Sequence, residues 1–208
     1  MKQTARLGKR GTPLTMDDWL RAQAVGIIEP LAGALARLKL HPNTITLLGF
    51  ALNAVAGLVL STGKLGVGAL VMLGASATDA LDGALARATS QQSRFGAFLD
   101  STLDRLSEGV VLLGLLAWWL QQGEDLGALV VMLALLGSVM VSYTRARAEG
   151  VGFDCKVGLL TRPMRVIVLG IGLLSPWPLP VLIGLTVLTW FTVAQRVAYV
   201  YRESRRNP

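Results

Sequence analysis

The chain has 208 residues, of which 52% are hydrophobic and only 16% charged, against roughly 25% charged in soluble domains; the polar surface of a water-soluble protein is missing. Its 20 Lys and Arg outnumber 13 Asp and Glu for a net charge of +7, yet a nucleic-acid-binding domain is not this apolar. One cysteine (Cys155) and one histidine (His41) exclude an intrachain disulfide and a His-rich metal site, and a mean hydropathy of +0.54 fits an integral membrane protein.

Residues 1–14 read as a loose basic start, with no apolar run directly after them to make a cleavable signal peptide. Over 15–40, Thr15 is placed to cap a helix whose first turn carries Asp17 and Asp18. Met16, Leu20, Ala24, Ile27, Ile28, Leu31, Leu35 and Leu38 then recur at helical spacing, with Arg21, Glu29, Arg37 and Lys39 between them. This pattern predicts an amphipathic juxtamembrane helix in the cytoplasmic interface, bent at Pro30.

A membrane-spanning helix needs about 20 mostly apolar residues. Charge-free runs lie at 44–63, 65–78, 109–123, 126–144 and 166–195. The last is divided by the turn-forming Ser175-Pro176-Trp177-Pro178-Leu179-Pro180. Two runs reach full length only by taking in Asp79, Asp82 and Arg87, or Asp100, Asp104 and Arg105. The expected architecture is all-α, with six spans near 44–62, 65–88, 95–121, 126–148, 158–175 and 180–201. They lie in a domain over 41–202, followed by a tail at 203–208.

Six spans place both termini and the loops 88–95 and 145–165 on one side. Of the 20 basic residues only Lys64 then falls opposite, beside the acidic Glu124 and Asp125. Short basic loops mark the cytoplasmic face, which predicts a multi-pass protein of the cell (inner) membrane with cytoplasmic termini. Trp118, Trp119 and Trp177 fall near the opposite interface, where indole rings favour the headgroup region.

Carboxylates inside spans are costly and mark functional sites. Asp79, Asp82, Gly83, Ala86 and Arg87 share one helix face, and Gly96, Asp100 and Asp104 share another. The short loop between them predicts an antiparallel hairpin whose polar faces meet. Four bare carboxylates that close would repel one another, and an all-oxygen set without Cys or His suits a hard divalent cation. Gly83 and Gly96 leave room for a large ligand, and Arg87 supplies a cation for phosphate.

The run Asp79-Ala80-Leu81-Asp82-Gly83-Ala84-Leu85-Ala86-Arg87, eight residues, Gly96, three residues, Asp100, three residues, Asp104 resembles the signature of the CDP-alcohol phosphotransferase family at all eight fixed positions. The resemblance covers most of the chain. It implies an enzyme that joins a CDP-linked lipid such as CDP-diacylglycerol to an alcohol and releases CMP, commonly as a homodimer and without nucleic acid. It further implies that Asp79, Asp82 and Asp100 bind one Mg²⁺, that Asp79, Asp100 and Asp104 share a second, and that Asp104 is the catalytic base, with Mn²⁺ the alternative metal. The nucleotide-contacting positions map onto Pro42, Asn43, Thr44, Ile45, Gly83, Arg87 and Ser93. Pro42-Asn43-Thr44 also reads as an ordinary helix start.

For the acceptor, Ser142-Tyr143-Thr144-Arg145, Arg162-Pro163-Met164-Arg165 and Thr192-Val193-Ala194-Gln195-Arg196 resemble the phosphatidylinositol-phosphate synthase branch. That implies Arg145, Arg165 and Arg196 as ligands for the phosphate of a phosphorylated polyol, inositol 1-phosphate. Arg145 stands where the branch usually has Lys. The rivals are glycerol 3-phosphate as acceptor, an archaeal-type ether-lipid donor and, from another class, a small cation transporter. His41 reads as an interfacial side chain, Cys155 as a free thiol, and Glu108 as a paired, protonated or supporting group. The small-residue stripe Gly49, Asn53 and Gly57 suits either a dimer seam or internal packing.

Overall fold

A computed structural model describes residues 30, 31, 33–37 and 40–206. The expected 1–14 segment lies outside them, as does most of the helix expected over 15–40, of which 30, 31 and 33–37 are helical. Six further helices follow: α1 Pro42–Ser61, α2 Leu65–Ala88, α3 Arg94–Gln121, α4 Asp125–Gly150, α5 Arg162–Leu174 and α6 Pro178–Arg206. No strand occurs among the described residues. By length and composition, α1, α2, α4 and α6 can each cross a membrane.

The helix boundaries follow from local chemistry. His41, not Asn43 or Thr44, caps α1: its Nδ1 accepts the Asn43 amide at 3.2 Å, and Pro42 occupies the first turn. Ser93 caps α3, its hydroxyl accepting the Gly96 amide at 2.9 Å. The α1–α2 turn passes through Gly63 at φ 81°, a left-handed conformation that glycine adopts without strain.

Two expectations shift. The helix predicted from 158 starts at Arg162, and its 13 residues make about 20 Å, short of the roughly 30 Å of a bilayer core. Residues 153–161 are non-helical because α6 side chains take their backbone groups. Thr192 Oγ1 accepts the Leu160 amide at 3.2 Å, Gln195 Oε1 accepts the Leu159 amide at 3.2 Å, and Arg196 Nε donates to the Val157 carbonyl at 2.9 Å. At the C-terminus, helix continues through the expected tail to Arg206.

The packing is a closed ring in which α1 touches α2 and α3, α2 touches α5, α5 touches α6, α6 touches α4, and α4 returns to α3. The consecutive pair α2 and α3, expected as a hairpin with meeting polar faces, makes its main contacts with α1. Small residues make that possible. A Cβ at Gly114 of α3 would stand 2.0 Å from the Gly57 carbonyl oxygen of α1, and one at Gly49 of α1 would stand 2.4 Å from Thr78 Oγ1 of α2. The stripe Gly49, Asn53 and Gly57 is therefore internal packing. Leu60, Met72, Leu112, Leu115, Val131 and Leu173 fill the core, while Leu58, Leu70, Leu113 and Ile171 face outward.

Candidate active site between the second, third and fifth helices

Asp79 and Asp82 come from the last turns of α2, Asp100 and Asp104 from the first turns of α3. Both helices pack on α1, which brings the four carboxylates into one acidic cluster. They lie within electrostatic reach of one another: Asp82 with Asp79 and Asp100, Asp104 with Asp79 and Asp100. The Thr46 hydroxyl, from α1, donates to Asp82 Oδ2 at 2.7 Å. Asp82 itself is buried.

The acidic cluster contains a cation that the sequence motif did not assign. Arg162, at the start of α5, places Nη1 2.6 Å from Asp79 Oδ2 and 2.7 Å from Asp104 Oδ1. One nitrogen thus ties α2, α3 and α5 together, and Arg162 Nε is buried with no partner. Arg105 lies more loosely against Asp104, at 3.6 Å. A positive side chain in the first turn of a helix runs against the helix dipole; that was the available signal for Arg162.

Among the described residues, no three Asp, Glu, His or Cys side chains converge closely enough to hold a metal ion. The donor chemistry nevertheless fits a hard divalent cation: four carboxylates, no nitrogen or sulfur donor, and a positive charge already bound between two of the acids. Asp79, Asp82, Asp100 and Asp104 are the residues that would hold it.

Several of the nucleotide-contacting candidates adjoin one another. A Cβ at Gly96 would lie 3.0 Å from Ser93 Oγ and 3.2 Å from Asn43 Oδ1, so these three residues adjoin. Gly83 lies beneath the Arg87 guanidinium, 3.5 Å from where its Cβ would be. Arg87, Thr44 and Ser93 are exposed, whereas Pro42 and Ile45 are buried. Ser93 and Pro42 both serve helix starts.

The three acceptor candidates share one neighbourhood, Arg196 lying within electrostatic reach of Arg145 and Arg165, but their engagement differs. Arg165 is fully buried and grips Glu108 of α3 with two nitrogens, at 2.7 and 2.8 Å. Arg196, also buried, donates to the carbonyls of Val157 and Val141. Arg145 is exposed and pairs with Glu149 at 2.9 Å. Sequence reasoning missed the Arg165–Glu108 pair because 57 residues separate its members.

Comparisons with known proteins identify the family. Residues 39–201 match the CDP-alcohol phosphatidyltransferase family. The chain is 40% identical over 181 residues to the archaetidylinositol phosphate synthase of Methanothermobacter thermautotrophicus, covering 84% of this chain and 89% of that one. It is also 40% identical over 181 residues to the phosphatidylinositol phosphate synthase of Mycobacteroides abscessus, covering 82% of each. The Mycobacterium tuberculosis phosphatidylinositol phosphate synthase with CDP-DAG bound superposes with a TM-score of 0.77 at 35% identity, over 84% of this chain and 94% of that one. The same enzyme in complex with manganese and citrate also gives 0.77, again at 35% identity, over 84% and 89%.

By its family match this all-helical protein, with an acidic cluster at the ends of two helices, is a transferase of phosphate groups. The chain belongs to the CDP-alcohol phosphatidyltransferase family.

Proposed function

We propose that this enzyme is a phosphatidylinositol-phosphate synthase, transferring the phosphatidyl group of CDP-diacylglycerol to a hydroxyl of inositol 1-phosphate and releasing CMP. The observation that carries the reading is the convergence of Asp79, Asp82, Asp100 and Asp104 from two helices, with Arg145, Arg165 and Arg196 clustered nearby. Relatives named for inositol-phosphate lipids, 40% identical over most of the chain, support the acceptor.

Two Mg²⁺ ions, or Mn²⁺, held by the four aspartates would neutralise the diphosphate and the charge that develops on it. Asp104 takes the proton of the acceptor hydroxyl as that oxygen bonds to the β-phosphorus. The bond from the β-phosphorus to the oxygen bridging the two phosphates breaks, and that oxygen leaves with CMP. Asn43, Ser93 and Gly96 border the nucleotide with Pro42, Thr44 and Ile45, while Gly83 admits the diphosphate backbone and Arg87 balances its charge. Arg145, Arg165 and Arg196 supply the positive field for the acceptor's phosphate, which free inositol or serine would not require.

In the membrane we read all six helices as crossing it, α3 and the short α5 completing the four apolar spans. The site and both termini then face the cytoplasm of the cell (inner) membrane, behind an N-terminal interfacial helix. A homodimer, which the family resemblance implies, completes the assembly and is checked by cross-linking in native membranes. The 40% identity to an archaetidylinositol phosphate synthase favours one second reading, an ether-lipid donor with the same acceptor.

The test is CMP release by purified protein with CDP-diacylglycerol or its ether analogue, Mg²⁺ and one acceptor at a time. Inositol 1-phosphate is expected to turn over, with inositol, serine and glycerol 3-phosphate inactive. Turnover on glycerol 3-phosphate alone overturns the acceptor and leaves the transferase chemistry standing.

A further inference from the structure

We propose that Arg162 is a displaceable counter-ion: its guanidinium holds the carboxylates of Asp79 and Asp104 and must withdraw when a divalent cation binds. The inference rests on the metal-dependent reading above. Its grounds are geometric. A single nitrogen, Nη1, lies 2.6 Å from an oxygen of Asp79 and 2.7 Å from an oxygen of Asp104. These acids belong to α2 and α3, helices that each pack chiefly on α1.

Without a cation the two ends would be pushed apart by like charges. Arg162 also lies within electrostatic reach of Asp100 and Glu108, so it offsets the cluster as a whole. The side chains of Asp79 and Asp104 are each only 17% exposed, and that of Arg162 20%, so water screens the pair weakly.

The same contacts oppose metal binding. The oxygens that hold Nη1 belong to two of the four carboxylates available to a metal, and a dication beside a fixed guanidinium would face strong repulsion. Among the described residues no three acidic donors converge on one point, so the cluster must rearrange to hold a cation. On this proposal the repulsion between the two cations drives Arg162 off its two carboxylates as the metal binds. Its Nε, buried and without a partner here, means that the guanidinium is held through its tip alone. The apparent metal affinity is reduced by the fraction of molecules in which Arg162 blocks the site, so a blocked fraction of nine-tenths weakens it about tenfold.

The experiment measures Mn²⁺ binding by the electron paramagnetic resonance of free Mn²⁺, and thermal stability with and without Mn²⁺, in the purified full-length protein and its Arg162→Gln and Arg162→Lys variants. Arg162→Gln is expected to bind Mn²⁺ about tenfold more tightly, to melt lower than the wild type without metal, and to recover when Mn²⁺ saturates it. Arg162→Lys, which keeps the charge on a more flexible stem, is expected to fall between them and keeps the test valid where the Gln variant does not fold. An unchanged or weaker Mn²⁺ affinity in the variants overturns the proposal, as does a stability loss that Mn²⁺ leaves unrestored. Wild-type protein that binds no Mn²⁺ overturns the metal reading and this proposal together.

Discussion

Arg165 meets Glu108 as a fork meets a fork, Nε to Oε1 at 2.7 Å and Nη2 to Oε2 at 2.8 Å, with the arginine 2% and the glutamate 10% exposed. The pair ties α3 to α5 beneath the aspartate cluster. Removing one member of such a pair strands the other as a buried charge, at a cost of about 3–5 kcal/mol, whereas replacing both with apolar residues of similar size is close to neutral. Glu108→Gln is therefore expected to lower the melting temperature sharply, and Glu108→Leu combined with Arg165→Met to restore most of it. If Arg165 also binds the acceptor's phosphate, the stable double variant loses CMP release. A double variant no more stable than Glu108→Gln rejects the pairing argument.

The hydrogen bond from Thr46 to Asp82 predicts a narrower defect. At 2.7 Å to a buried carboxylate it belongs to the charged class, worth about 1.5–3 kcal/mol. Thr46→Val keeps the shape and removes the donor, so Asp82 loses its fixed orientation while the α1 core stays filled. The Mg²⁺ concentration for half-maximal turnover is expected to rise about tenfold or more, and Thr46→Ser to remain near the wild type. Equal metal dependence in the Val variant refutes the orienting role.

The four aspartates were legible because acids in an apolar helix violate its composition at a spacing that fixes one face. The ring order was not. The hairpin reading put α2 against α3 because they are consecutive, yet contacts between Gly57 and Gly114 and between Gly49 and Thr78 seat both on α1. No local pattern states which helix a glycine will meet. The late motif carries a similar ambiguity: Arg196 is the residue expected to meet phosphate, while in the structure Thr192, Gln195 and Arg196 all hold residues 157–160. Arginine chemistry suits carbonyl oxygens as well as phosphates, and only the fold brings the carbonyls near.

The same glycine contacts make a stability prediction. A Cβ at Gly114 would lie 2.0 Å from the Gly57 carbonyl oxygen, and one at Gly57 2.4 Å from that of Val110. Both obstacles are backbone, so relief requires α1 and α3 to separate, and overpacking of this kind costs about 1–3 kcal/mol or more. Gly114→Ala and Gly57→Ala are expected to reduce folded yield and melting temperature. Gly74→Ala and Gly184→Ala, which meet nothing within 4 Å, serve as controls near the wild type. Equal losses at all four sites contradict the close α1–α3 approach.

Cys155 reports on the segment that α6 holds down. Its side chain is completely buried, and burial pushes the thiol above its ordinary range; both effects suppress the reactive thiolate. Maleimide at neutral pH is therefore expected to label the folded protein very slowly. A raised folded pKa also means that labelling stays low as pH climbs to the ordinary thiol value, and increases only beyond it. Gln195→Ala removes the acceptor of the Leu159 amide, and Thr192→Val that of the Leu160 amide. Each bond contributes roughly 1 kcal/mol, so each variant should open the segment more often and speed labelling about fivefold. Arg202→Ala, at an exposed position of the same helix, should leave the rate unchanged. Labelling that is fast in the wild type, or equal across the series, shows that these side chains do not hold the segment.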